Sequence, residues 1–391
     1  MSVFDALVGQ DRVVAQLRAA AEAAGRAVAG SDDTAEMTHA WLFTGPPGSG
    51  RSIAARAFAA ALQCPDAGCG HCTDCRQALG GTHPDVAQID TEGLFISIAA
   101  ARDLVARSSR IPTRGRWQVT VVEDADRMQE RTSNTVLKAV EEPPPHSVLL
   151  LCAPTAEDLL PTIRSRCRRV VLGTPAVDAV TALLVSEGVD EAMAAFAARA
   201  SQGHIGRARR LANDEQARQE RHQALAVARS LQTVASTLGA AAGLVDAAKE
   251  ESARLTSARD EKERAELATA LGAGATGKGF TGRTPRGGAG MLKDLETTQK
   301  NRGTRTQRDA LDRALTDLAA FYRDVLTVQL GAGVEPVHTD VAEQASVIAR
   351  STTPESTLRR IDAVLACREA LDANVAPLLA VEAMALALRA G

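Results

Sequence analysis

The sequence of 391 residues predicts an α/β domain built on a parallel sheet, followed by helical segments to the C-terminus. Three observations carry this expectation. Short apolar runs alternate with helical stretches from residue 1 to about 172, one of those runs leads through a glycine loop into a helix, and no strand pattern survives beyond Asn213. The candidate strands are residues 39–44, 85–90, 117–122, 147–152 and 168–172, which implies a sheet covered on both faces. The expected organisation is an α/β domain over 1–173 with a cysteine module inserted at 64–75, a small helical lid over 174–212, and an all-α domain over 213–391.

The first strand runs into Gly45-Pro46-Pro47-Gly48-Ser49-Gly50-Arg51-Ser52. This is the spacing of a phosphate-binding loop, and the Ala-rich stretch from Ser52 to Leu62 supplies the helix that must follow it. Gly45, Gly48 and Gly50 keep the amide cradle, and Ser52 keeps the hydroxyl that would meet Mg²⁺. Arg51, however, stands where such loops carry lysine. A lysine ammonium slips between the β- and γ-phosphates, whereas a guanidinium is planar, bulkier and bidentate. The architecture of a nucleotide site is therefore present, its chemistry is in doubt, and weak binding of ATP and Mg²⁺ stays open. A ligand-free Gly/Pro turn is the alternative.

The strand over 117–122 ends in Glu123-Asp124-Ala125-Asp126. Acidic groups at such a strand end hold Mg²⁺ and polarise the attacking water in hydrolases of this class, in the order Asp-Glu. Here the order is Glu123-Asp124, which moves a carboxylate by about one methylene where about 1 Å of misplacement is costly. Two carboxylates that merely solvate a strand end are the bland reading.

Cys64, Cys69, Cys72 and Cys75 follow the loop helix, with Pro65, Gly68 and Gly70 between them. Two Cys-x-x-Cys steps sharing Cys72, plus one thiol upstream, can close a tetrahedron around one structural Zn²⁺. An iron–sulfur cluster is the competitor, although the trailing Cys-Pro of such motifs is absent. Cys152, Cys167 and Cys367 stand singly, which speaks against disulfides. His71 lies inside the knuckle as a bystander, since four thiolates suffice.

Composition points to a cytoplasmic partner protein. The net charge is −3 and aromatics make up 3%, so the chain has neither a global drive toward nucleic acid nor a platform for stacking bases. No apolar run is long enough for a membrane.

Further motifs are Gly81-Thr82-His83-Pro84-Asp85, Asn134-Thr135-Val136-Leu137-Lys138-Ala139-Val140-Glu141-Glu142-Pro143-Pro144, and Leu159-Leu160-Pro161-Thr162-Ile163-Arg164-Ser165-Arg166-Cys167. The order of glycine loop, cysteine cluster, acidic strand end and Ser-Arg-Cys resembles the AAA+ clamp-loader subunits of bacterial DNA polymerase III, and within them the delta-prime branch. The resemblance covers Val3 to about Leu211 and returns weakly at Leu371-Asp372-Ala373-Asn374 and Glu382. It implies a component of the DNA polymerase III holoenzyme that is not an enzyme in isolation. Such a subunit sits in a hetero-pentameric ring with motor ATPase and delta subunits, and the ring loads the sliding clamp onto primer-template DNA. By the same resemblance Arg166 is an arginine finger acting in trans, and the last domain is the collar. Local pairing of Arg166 with an acidic group is the alternative fate.

Departures from the motor subunits run in one direction: Arg51, the Glu123-Asp124 inversion, and Ala153 or Pro154 where a polar residue is expected. In the lid, Gly203-His204-Ile205-Gly206-Arg207 aligns Gly206 with a phosphate-sensing arginine, and Arg207, one residue on, is turned by about 100° on a helix. A catalytically active AAA+ ATPase is the alternative function. One stretch interrupts the helical domain: glycines from Leu271 to Gly290 read as a flexible loop, and the insert over 272–308 carries Lys278, Arg283, Arg286, Lys293, Lys300, Arg302, Arg305 and Arg308. A local contact with DNA or an acidic partner and a solvated basic face on a helix hairpin are both open for it.

Overall fold

The computed structural model describes residues 2–89, 91, 93–271 and 288–391. In chain order the elements are α1 (Asp11–Val28), β1 (Ala40–Thr44), α2 (Arg51–Gln63), α3 (Thr73–Leu79), β2 (Val86–Ile89), α4 (Ile98–Ser108), β3 (Gln118–Val122), α5 (Glu130–Glu141), β4 (Ser147–Ala153), α6 (Pro161–Arg164) and β5 (Arg168–Val171). After the sheet come α7 (Val177–Ser186), α8 (Glu191–Ala200), α9 (Ile205–Asn213), α10 (Glu215–Ala226), α11 (Val234–Ala270), α12 (Gly288–Gln329), α13 (Ala342–Ser351), α14 (Pro354–Asp372) and α15 (Pro377–Ala390). Two compact units result: Met1–Thr91 with Phe95–Asn213, and the helices from Asp214 onward.

The first unit holds a five-stranded sheet in the order β2-β3-β4-β1-β5, with every pairing parallel. Parallel strands need crossover helices, so both faces are covered and the strands read as unbroken apolar runs. Alternation sorts the side chains. Trp41 and Phe43 of β1 join Val148, Leu150 and Cys152 of β4 in one core with α1 and α2, while Ala40, Leu42, Leu149 and Leu151 face α4 and α5 in the other. Phe58 of α2 meets Trp41 edge-on at 4.9 Å and is fully buried, a contact that contributes roughly 2–3 kcal/mol through burial. Because all strands run the same way, the loops after β1, β3 and β4 leave a single edge of the sheet, where open α/β sheets bind ligands.

Among its described residues, the regular elements of the second unit are all helices. Leu311, Leu315, Leu318, Tyr322 and Val325 of α12 recur at helical spacing and pack with Leu244 and Val245 of α11, Val364 and Leu371 of α14 and Val381 and Leu388 of α15.

The structure corrects one expectation. Residues 288–308 are not part of a flexible insert; they are the first half of α12, paired with α11, which is the helix-hairpin reading left open by the sequence. Glycine costs a helix least near its end, and the pairing is polar: Arg302 donates to Asp260 Oδ1 at 2.6 Å and to Glu263 Oε1 at 2.9 Å, and Ser252 Oγ donates to the Gly303 carbonyl at 2.8 Å. Arg302 is buried in that pairing and is no surface contact for DNA. Lys278, Arg283 and Arg286 lie outside the described residues.

Candidate functional site

β1 ends at Thr44, and residues 45–50 turn into α2, whose N-cap is Gly50. Gly48 and Gly50 have φ of 84° and 92°, the left-handed region that a side chain rarely adopts, so the loop conformation depends on glycine at both positions. The guanidinium of Arg51 folds back on its own loop and donates from Nη1 to the Gly45 carbonyl at 2.6 Å. A Cβ on Gly48 would overlap the ring of His204, so the lid histidine lies directly against the loop backbone. His204 also accepts from the Arg207 backbone N–H through Nδ1 at 3.2 Å, which holds the ring at the start of α9.

The acidic end of β3 carries its own counter-charge. Arg56, five residues beyond Arg51 on α2, donates from Nε to Glu123 Oε1 at 2.6 Å and pairs with the same oxygen through Nη2. Asp124 lies 4.0 Å from Arg127, and Asp126 has its pKa raised by burial and then by Asp124. β4 ends at Ala153, and the Pro154 carbonyl accepts the Gly45 N–H at 3.0 Å, so no polar side chain stands at that strand end. Sequence reasoning missed Arg56 and His204. A lone charge in the buried Ala-rich run of α2 was a legible signal for the first, because such a charge needs a partner. The second depends on a tertiary contact.

The four thiols converge. Cys64, Cys69, Cys72 and Cys75 place their sulfurs within 4.8 Å of one another, and Cys72 Sγ lies 3.9 Å from Cys64 Sγ. With metal–sulfur bonds of about 2.3 Å, a tetrahedral tetrathiolate needs sulfur separations of about 3.8 Å, so the donor set fits such an ion. Backbone amides point at the sulfurs: Cys69 N–H to Cys64 Sγ at 3.4 Å, Cys72 N–H to Cys69 Sγ at 3.4 Å, and Cys75 N–H to Cys72 Sγ at 3.3 Å. The His71 and Cys72 amides lower the Cys69 thiol to about 6, whereas burial raises Cys72 and Cys75. A bound cation would oppose that burial effect and deprotonate them. His71 is exposed, with Nδ1 3.0 Å from the Cys69 carbonyl, and is not part of the sulfur cluster.

The Gly81-to-Asp85 motif anchors a loop. Burial alone would raise Asp85, but the Thr113, Gly115 and Arg114 amides and the Thr113 hydroxyl bring it down to about 2. His83, buried beside it, is lowered by burial.

Arg166 follows α6 on the surface. Its Nη1 donates to the Thr162 carbonyl at 2.9 Å, and its Nη2 lies 2.9 Å from Glu141 Oε1 of α5. The local pairing left open by the sequence is therefore present, between side chains 42% and 38% exposed. A pair so exposed contributes at most about 1 kcal/mol.

A parallel sheet with a glycine loop after β1, acidic residues after β3, an arginine before β5 and a helical lid is the AAA+ class of P-loop domain. Residues 22–176 match the model of the family described as DNA polymerase III, delta subunit. The DNA polymerase III subunit delta' of Pseudomonas aeruginosa is 38% identical over 139 residues, 34% of this chain and 42% of that protein. The corresponding subunit of Bacillus subtilis is 29% identical over 40% of this chain and 49% of that protein. The DNA polymerase III subunit gamma/tau of Mycobacterium bovis is 34% identical over 42% of this chain and 27% of that protein. The chain thus spans under half the length of these relatives. A solved gamma subunit-related protein from Thermotoga maritima has a TM-score of 0.39 and 16% identity over 95% of this chain and 99% of that one. No helix among the described residues is long and apolar enough to cross a membrane.

Proposed function

We propose that this chain is a non-catalytic delta-prime-type subunit of a clamp loader, joining motor and delta subunits in a ring that loads the sliding clamp onto primed DNA. The observation that carries the reading is internal neutralisation of the nucleotide site. Arg51 is engaged with the Gly45 carbonyl and Arg56 with Glu123, so the groups that would meet phosphate and Mg²⁺ are satisfied within the chain. Arg166 is the residue we assign to the neighbouring subunit's ATP site, where an arginine supplied in trans stabilises charge on the transferring phosphoryl group. The half-exposed pair with Glu141 is weak enough to be exchanged for a phosphate oxygen. Cys64, Cys69, Cys72 and Cys75 would hold one Zn²⁺, which closes the module as a structural ion with no open coordination position.

The test is a ring reconstituted from purified subunits together with ATP binding and turnover by this chain alone. No turnover alone, and clamp loading that depends on this chain, is the expected result. A second reading, an active motor ATPase, draws on the retained Gly45, Gly48, Gly50 and Ser52 and on the gamma/tau similarity. Turnover by the isolated chain that is lost when Ser52 and Glu123 are replaced by alanine would establish that reading instead.

A further inference from the structure

The four-thiol module touches more than its own loop. Gly68, inside it, accepts the Val3 N–H at 3.0 Å and the Ser2 hydroxyl at 3.1 Å through its carbonyl. With φ at 106°, Gly68 leaves no room for a side chain, since a Cβ there would lie 2.7 Å from Val3 Cγ2. Val3, Phe4, Leu7 and Gln10 are all at least nine-tenths buried, although residues 2–10 contain no regular helix or strand. Along that segment Leu7 lies close beside Gly50 of the phosphate loop. Gln10 then bridges two elements, donating from Nε2 to the Gly173 carbonyl at 2.7 Å and accepting the Gly173 N–H at 3.3 Å, with Ser49 O at 3.5 Å from the same Nε2. A strap of nine residues therefore runs from the thiol module, past the loop, to the start of the lid.

We propose that the bound metal, by fixing the Gly68 turn, holds residues 2–10 as a strap that fixes the geometry of the phosphate loop and the lid junction. The module is then a remote positioning element for the nucleotide edge of the sheet. An irregular segment owes its order to its contacts, and a turn held by four metal–thiolate bonds is a firmer anchor than one hydrogen-bonded glycine. The relay is short because α2 begins at Arg51 and is capped at its far end by Cys64.

The inference rests on reading the four thiols as a metal site, and the experiment separates the two. Hydrogen exchange is followed by mass spectrometry on the full chain as purified, after chelation, and after Zn²⁺ is returned, with elemental analysis alongside. Chelation is expected to accelerate exchange in residues 2–10 by about ten-fold or more and in 45–50 measurably, to leave β4 unchanged, and to reverse with Zn²⁺. A chain that contains no metal sinks the metal reading itself. A metal-loaded chain whose residues 2–10 ignore chelation, or whose β4 loosens equally, overturns the strap and leaves a merely structural ion. Phe4→Ala, which keeps every thiol, should loosen residues 45–50 with metal content unchanged, and unchanged exchange there overturns the relay.

Discussion

Replacing Arg166 by alanine separates a structural arginine from one that acts on a neighbour, because the two roles differ in magnitude. Within the chain Arg166 makes one ion pair, to Glu141, and hydrogen bonds to Thr162 and Ser165, all at the surface. Their loss should cost at most about 1 kcal/mol, a fall in Tm of about 2–4 °C for a unit of this size. In trans, loss of an arginine finger costs about 10³–10⁵ in rate at the affected site, or roughly 4–7 kcal/mol. The assay pairs thermal unfolding of the isolated variant with DNA- and clamp-stimulated ATPase of the assembled ring. We expect a folded chain that joins the ring normally, while turnover at the one neighbouring site collapses and sites elsewhere dilute the bulk effect. Arg166→Lys should rescue poorly, since lysine keeps the charge but not the planar fork. Rings carrying Arg166→Ala that load clamps and hydrolyse ATP at wild-type rates would refute the reasoning and leave Arg166 as the local partner of Glu141.

Elemental analysis should find about one Zn²⁺ per chain, lost together in a Cys69→Ser/Cys72→Ser variant; the charge-transfer absorbance of an iron–sulfur cluster would show the wrong ion. Mg·ATP should leave the melting temperature of the wild-type chain unmoved, whereas Arg51→Lys with Arg56→Ala should gain a shift, about 2.7 kcal/mol at a hundred-fold excess over Kd, and a wild-type shift of that size would count against a closed site. Asp85 has a pKa lowered to about 2, so its contribution is complete above the unfolded value near 4 and is lost as pH falls from there through about 2. Denaturant unfolding should show Asp85→Asn about 2 kcal/mol less stable at pH 7 and nearly equal to wild type at pH 2; an equal gap at both pH values would deny the carboxylate its role.

The parts legible in the sequence are those whose cause is local. β1 and the loop after it could be read because an apolar run followed by fixed glycine spacing dictates strand, turn and helix without reference to the rest of the chain. The thiol cluster was legible for the same reason, since all four cysteines lie within residues 64–75. What the sequence hid depends on distant partners. The start of α12 at Gly288 was obscured by glycines that read as helix breakers, while the groups that hold it, Asp260 and Glu263, lie 42 and 39 residues upstream of Arg302. His204 gave no sign that it would rest on Gly48, because neither residue's own neighbours specify the contact.

An acidic strand end beside a phosphate loop is a destabilising cluster unless a cation sits there, and in a nucleotide-driven relative of this class that cation is Mg²⁺ carried by the ligand. Arg56 meets the requirement from within the chain, through Glu123, while Arg51 is held by a hydrogen bond to the Gly45 carbonyl of the loop. A guanidinium on a helix is a permanent counter-charge, whereas a ligand-borne ion comes and goes with each turnover. On the proposed function, stability of the sheet edge would thereby be separated from ligand concentration, because a ligand stabilises only where it binds the folded state. A subunit so arranged would hold one geometry while its neighbours cycle. Such constancy is what a donor of an arginine in trans requires, because a displacement of about 1 Å at the receiving phosphate would cost most of its effect.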